Sequence, residues 1–204
     1  LTSMDIPSGV LTIEWGTFSG CEDLEQISLP ETVASISQRA FEGSGLTSVI
    51  LPGSVTEIGE AAFIGCTSLS AFTVNGGSSF ATQDGVLFNH DKTTLLAYPA
   101  GKEDDSYAIP EGVTHVAEWA FYGTWPSSIT IPSTLVQIGY NAFRGSSIVS
   151  LVIPDTVTDI KDYAFANSDL QSVVIGANVV QFGSGAFSGC YGLRDVYFLG
   201  NAPE

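Results

Sequence analysis

A small residue followed by phenylalanine recurs along the chain, at Phe18, Phe41, Phe63, Phe121, Phe143, Phe165 and Phe187, with intervals of 23, 22, 58, 22, 22 and 22 residues. A near-constant period of this length marks a chain wound into stacked coils, since one coil alone cannot bury its apolar side. The columns that precede each phenylalanine support this. Five residues earlier stand Ile13, Ile36, Ile58, Val116, Ile138, Ile160 and Phe182. Eight earlier stand Val10, Val33, Val55, Val113, Leu135, Val157 and Val179. Twelve earlier come Ile6, Leu29, Leu51, Ile109, Ile131, Ile153 and Ile175, and fourteen earlier Met4, Ile27, Val49, Tyr107, Ile129, Leu151 and Val173.

The last two columns alternate with more polar residues, the period-two pattern of a strand with one buried face. Proline ends that strand at Pro7, Pro30, Pro52, Pro110, Pro132 and Pro154, with Gly176 in the seventh copy. Lacking an N–H, proline cannot extend the ladder. The stretch before each phenylalanine, as in Ile58-Gly59-Glu60-Ala61-Ala62-Phe63, predicts one helical turn. Five large apolar residues per coil, each contributing about 1.5–3 kcal/mol when buried, offset the cost of ordering it.

The 21 residues from Leu46 to Cys66, Leu-Thr-Ser-Val-Ile-Leu-Pro-Gly-Ser-Val-Thr-Glu-Ile-Gly-Glu-Ala-Ala-Phe-Ile-Gly-Cys, resemble a repeat of the BspA-like leucine-rich repeat family, and the likeness runs through essentially the whole chain. The resemblance implies an α/β, β-rich fold: a curved right-handed solenoid with a concave parallel sheet and short helical turns on the convex side. It also implies a bacterial surface or secreted protein of the kind linked to adhesion. On this reading residues 1–204 form a single leucine-rich repeat domain, a fragment of a longer protein, because it starts at Leu1 and stops abruptly at Asn201-Ala202-Pro203-Glu204. The absence of a leader therefore does not argue against export.

The long interval holds one period plus 36 residues, and an insertion is expected over residues 75–106. Leu69, Phe72 and Val74 begin an ordinary strand. Asp84 to Pro99 then reads as a β-hairpin about the polar turn Asn89-His90-Asp91-Lys92, a feature that the family also shows. Leu96-Ala97-Tyr98-Pro99 forms an extra coil strand in an alternative reading. The insertion is either a contact site or a cover that stiffens the array.

Charge narrows the partners. With 22 acidic against 6 basic residues, the formal charge of −16 repels phosphate backbones and anionic membranes, so no nucleic acid is expected. No apolar run is long enough for membrane insertion. Asn75-Gly76-Gly77-Ser78-Ser79 lacks the lysine and helix of a phosphate loop.

Candidate chemistry is sparse. Cys21, Cys66 and Cys190 fall three residues after the marker phenylalanine, in a column otherwise holding Ser44, Thr124, Ser146 and Ser168. Cys21 and Cys66 are two coils apart, about 10 Å at strand spacing, too far for a disulfide. Three free, buried thiols are expected, in a column that satisfies backbone groups inside the turn. His90 and His115 read as solvated surface residues, and no nucleophile–base–acid set converges on either. Asp84, Asn89 and Asp91 surround the hairpin without calcium-loop spacing. No catalytic residue, metal or cofactor is expected.

The outward strand positions are more informative. Thirteen residues before each phenylalanine stand Asp5, Ser28, Ile50, Ala108, Thr130, Val152 and Val174, and Tyr197 extends the row. Ile50, Thr130, Val152, Val174 and Tyr197 form the candidate binding surface, since contiguous exposed apolar residues often mark an interface. β-Branched residues also simply suit strands. Beside them runs a serine row, Ser48, Ser106, Ser128, Ser150 and Ser172. Trp15, Trp119, Tyr140 and Tyr163 fall two or three residues before the phenylalanine, where they either stack on sugars or fill space between turns. The expected function is a monomeric, non-catalytic scaffold at the bacterial cell surface or outside it, binding a protein or glycan. The alternative is an architectural spacer presenting another domain.

Overall fold

The computed structural model describes residues 1–77 and 79–200. Ser78 of the glycine-rich segment and the C-terminal Asn201 to Glu204 lie outside the described residues. The backbone gathers into two compact units, one of residues 1–92 and 97–102, the other of residues 93–96 and 103–204.

In the first unit each repeat contributes two short strands. β1 (Ser3–Asp5) pairs in parallel with β3 (Gln26–Ser28), and β5 (Ser48–Pro52) with β7 (Ala71–Asn75). The second series comprises β2 (Thr12–Ile13), β4 (Ser35–Ile36) and β6 (Glu57–Ile58), again parallel. β8 (Phe80–Gln83) and β9 (Val86–Asn89) form an antiparallel hairpin.

The second unit repeats the plan. β11 (Ser106–Ala108), β13 (Ser128–Thr130), β15 (Ser150–Ile153), β17 (Ser172–Ile175) and β19 (Asp195–Phe198) form one parallel sheet. β10 (Thr94–Ala97), β12 (His115–Val116), β14 (Gln137–Ile138), β16 (Asp159–Ile160) and β18 (Gln181–Phe182) stack beside it. Most partners lie 22 residues apart, as in Ser150↔Ser172 and Ile138↔Ile160. Each period of sequence is therefore one coil of a β-solenoid.

The apolar columns become the core as their alternation requires. Val33, Ile36, Phe41, Leu51 and Val113 are fully buried, as are Leu135, Ile138, Phe143, Ile153 and Phe165. Proline at the end of a strand of the first series starts a tight turn: Pro30 accepts from the Val33 N–H at 3.0 Å, and Pro154 from Val157 at 3.1 Å, while Pro52, expected to stop its strand, is the last residue of β5 and pairs with Asn75. That turn swings the buried valine column inward.

The helical turns expected before each phenylalanine are not formed; among the described residues there is no helix. Two residues before the marker, the backbone takes a left-handed conformation in every copy, at Gly16, Arg39, Ala61, Trp119, Asn141, Tyr163 and Gly185. A second left-handed residue follows two after it, as at Gly43, Gly145 and Asn167. These residues interrupt the run of right-handed residues that an α-helix needs. Alternate amides turn out of the coil and donate to the next one, Phe41 N–H to the Ala62 carbonyl at 2.8 Å and Phe143 to Ala164 at 2.7 Å. The physical reason is width. Coils pinned at strand spacing, about 4.8 Å, leave no room for helices about 10 Å across unless the array splays. The short strands of the second series, unforeseen in the sequence, hold the spacing on that side.

Two further expectations change. Val86–Asn89 and Thr94–Ala97 are strands, as a hairpin reading requires, but β8 is an additional strand that folds onto β9. Asp84 and Gly85 turn it with φ of 53° and 80°, the paired positive values of the turn favoured in two-residue hairpins. β10 is also a coil strand, in register with β12 through Thr94↔His115 and Leu95↔Val116. Of the cysteines, expected to be buried, Cys66 and Cys190 are buried and Cys21 is exposed.

Candidate binding surface

The cysteine and serine column is structural. The Cys66 thiol donates to the Phe41 carbonyl at 3.0 Å and lies 3.3 Å from Ser44 Oγ; Cys190 repeats the pattern with Phe165 and Ser168. Thr124 and Ser146 reach back to the carbonyls of Phe121 and Phe143. Each side chain thus satisfies a carbonyl that the turn leaves inside the core. Burial pushes the Cys66 thiol up from its ordinary range. A thiol kept protonated is a poor nucleophile.

The histidines lie at the surface. His115 is exposed, with Nδ1 2.8 Å from the Thr114 hydroxyl, and His90 is exposed with Nε2 3.9 Å from Asp91 Oδ1. Among the described residues no three His, Cys, Asp or Glu side chains converge as metal ligands, those around Asp84, Asn89 and Asp91 included. No helix among them is long and apolar enough to cross a membrane.

The outward row takes clear shape in the second unit. Ala108 pairs with Thr130, Val152 with Val174, and Val174 with Tyr197, while Ser128↔Ser150 sets Thr130 beside Val152. Val152 is 62% exposed and Tyr197 58%. Val174 between them is half-buried. Successive members lie at strand spacing, so the row is a continuous apolar stripe. Ser128, Ser150 and Ser172 run parallel to it, with Asp195 next in register. In the first unit Ile50 is also exposed, beside Thr73, with no apolar neighbour of comparable size in its row. The stripe therefore gathers Thr130, Val152, Val174 and Tyr197, and Ile50 stands in the other unit.

On the turn arcs Tyr140 and Tyr163 keep 41% and 43% of their surface exposed. Trp119 is half-buried, edge-on to Tyr122 at 5.4 Å, with the Arg144 guanidinium 6.0 Å from its ring centre.

Parallel coils, one period each, with a core of stacked phenylalanines and side chains displayed on open faces, define a leucine-rich-repeat solenoid, a scaffold class. The chain belongs to the family of BspA-type leucine-rich repeat regions, whose model matches residues 1–99 and 101–203 in six copies. Solved structures agree. A leucine-rich cell surface protein from Faecalibacterium prausnitzii A2-165 is 30% identical, with a TM-score of 0.78 over 98% of this chain and 60% of that one. The pneumococcal vaccine antigen PcpA is 26% identical, also with a TM-score of 0.78, over 99% of this chain and 57% of its own. A leucine-rich repeat protein from Eubacterium ventriosum ATCC 27560, at 20% identity and a TM-score of 0.72 over 97% of this chain and 72% of that one, shares the fold. The chain spans less than two thirds of the first two proteins. A search of curated proteins returns no match.

Proposed function

We propose that this chain is a non-catalytic binding scaffold of a bacterial cell-surface or secreted protein, and that it captures a protein partner on the outward face of β13, β15, β17 and β19. The observation that carries the reading is the in-register stripe of Thr130, Val152, Val174 and Tyr197. Val152 and Val174 are already ordered on a hydrogen-bonded sheet, which lowers the cost of binding, and a tyrosine at the end supplies the kind of anchor that dominates interfaces. Ile50 serves as a separate apolar contact in the first unit. The surface location follows the similarity to a named cell surface protein and a vaccine antigen. The scaffold acts as a monomer, without metal or cofactor, and its partner is not a nucleic acid.

The test is comparative capture from a host-cell-surface extract by the immobilised chain and by its Val152→Asp and Tyr197→Asp forms. Loss of about 2 kcal/mol at either position weakens capture roughly 30-fold, enough to empty the bound fraction. Equal capture by all three forms removes the stripe as the site. Capture that survives replacement of the repeats by an inert spacer favours the architectural role instead.

A further inference from the structure

The turn arcs of the second unit carry a pattern that core packing does not account for. Consider the two positions that precede the small residue and marker phenylalanine in three successive coils. They hold Glu118-Trp119, Tyr140-Asn141 and Asp162-Tyr163. Each coil sets one aromatic ring beside one carboxylate or amide, and the order swaps in the middle coil. The backbone locks the three arcs together: Trp119 N–H donates to the Tyr140 carbonyl at 3.1 Å, and Asn141 N–H to the Asp162 carbonyl at 3.1 Å. Ring-bearing and planar polar residues therefore alternate between the two positions over three coils.

Two of the rings sit where the backbone disfavours them. Trp119 and Tyr163 have φ of 62° and 57°, and the same position is glycine at Gly16 and Gly185. Bulky residues at positive φ are outliers, and such strain concentrates at functional sites. The arc closes equally well without a side chain there, so these rings are not needed for the turn. Nor are they buried: Tyr163 lies over Gly185, its Cε1 2.6 Å from where a β-carbon would stand, with 43% of its surface open.

We infer that Trp119, Tyr140 and Tyr163, interleaved with Glu118, Asn141 and Asp162, form an open binding platform for a neutral glycan chain. Aromatic faces cover the apolar faces of sugar rings, and carboxylates and amides bond to the hydroxyls at their edges. Asp162 Oδ1 accepts from the Ser184 amide at 2.7 Å and Asn141 Oδ1 from Arg144 at 3.2 Å, which fixes both groups in orientation. The formal charge of −16 selects against sialylated or sulfated chains. The platform uses none of the residues of the strand-face stripe.

Native affinity electrophoresis in gels cast with soluble xyloglucan, galactomannan or mixed-linkage β-glucan, with heparin as the anionic control, tests the assignment. The chain is retarded by at least one neutral polymer and not by heparin. The pair Trp119→Gly and Tyr163→Gly lowers that affinity about tenfold or more, from the loss of two stacking rings. Glycine suits both backbone positions and keeps the fold, read as an unchanged circular dichroism spectrum, whereas Val152→Asp leaves retardation unchanged. Absence of retardation in every neutral polymer, retardation by heparin, or undiminished retardation of the double-glycine form overturns the assignment.

Discussion

The ring of Phe143 lies parallel to that of Phe165, centroids 5.2 Å apart and planes 8° from coincidence, though the two residues are 22 positions apart in sequence. The file runs on from Phe121 at 4.8 Å and to Phe187 at 5.3 Å. A separate file in the first unit joins Phe18, Phe41 and Phe63, and Phe72 takes the next place edge-on at 5.2 Å. Each inner ring touches the coil before and the coil after, so these residues carry both the burial and the stacking.

Replacing Phe143 by Ala is expected to destabilise the chain by about 3–5 kcal/mol, as large-to-small core changes do. The same change at Phe187, which is half-buried, costs clearly less. Urea unfolding followed by far-UV circular dichroism ranks the two. Equal losses would show that the inner rings are not held on both sides.

The turn arc makes a paired prediction with opposite signs. Ala61 has φ of 55°, so Ala61→Gly relieves a left-handed alanine and stabilises by about 0.5–1 kcal/mol. Two residues earlier, a β-carbon on Gly59 would stand 2.3 Å from the Gln38 backbone nitrogen. Gly59→Ala therefore costs about 1–3 kcal/mol, the range for overpacking. Thermal melts of the two variants check both signs. A helical turn would reverse them, since it prefers alanine at both positions.

Much of this was legible in the sequence, and the misses have identifiable causes. The strand pattern and the phenylalanine period survive because each column meets the same column in the next coil, whereas Pro52 does not stop its strand but pairs with Asn75 at the end of β5. The arc was harder to read, because a small-residue run ending in Phe looks the same as a helical turn or as alternating left- and right-handed residues. Its signal was the glycine two residues after the marker, at Gly20, Gly43, Gly65, Gly123, Gly145 and Gly189. Likewise Asp84-Gly85 was the stronger turn signal in the insertion, and it closes β8 onto β9. Exposure was the hardest to foresee: Cys21 shares its column with buried Cys66, yet it is exposed.

That contrast predicts thiol chemistry. Cys21 reacts promptly with iodoacetamide, and Cys66 and Cys190 react only after denaturation, as mass mapping of the labelled peptides will show. Burial raises the Cys66 thiol in the fold, so its contribution to stability holds below the unfolded thiol range near about 8.5 and falls as pH rises through it. Cys66→Ser, which copies Ser44 and Ser146, removes that alkaline loss and changes neutral-pH stability by less than about 1 kcal/mol. Urea midpoints at neutral and alkaline pH measure the difference. An identical alkaline loss in the Ser form would place its origin in other groups.

The central claim is that each period of sequence lies directly on the next. Nuclear Overhauser contacts in a chain labelled at phenylalanine and isoleucine test it most directly. Cross-peaks are predicted from Phe143 to Phe121 and Phe165, and from Ile138 to Ile160, with none from Phe121 to Phe165. Contacts that skip a coil, or phenylalanines grouped in clusters unrelated to the 22-residue spacing, would contradict it.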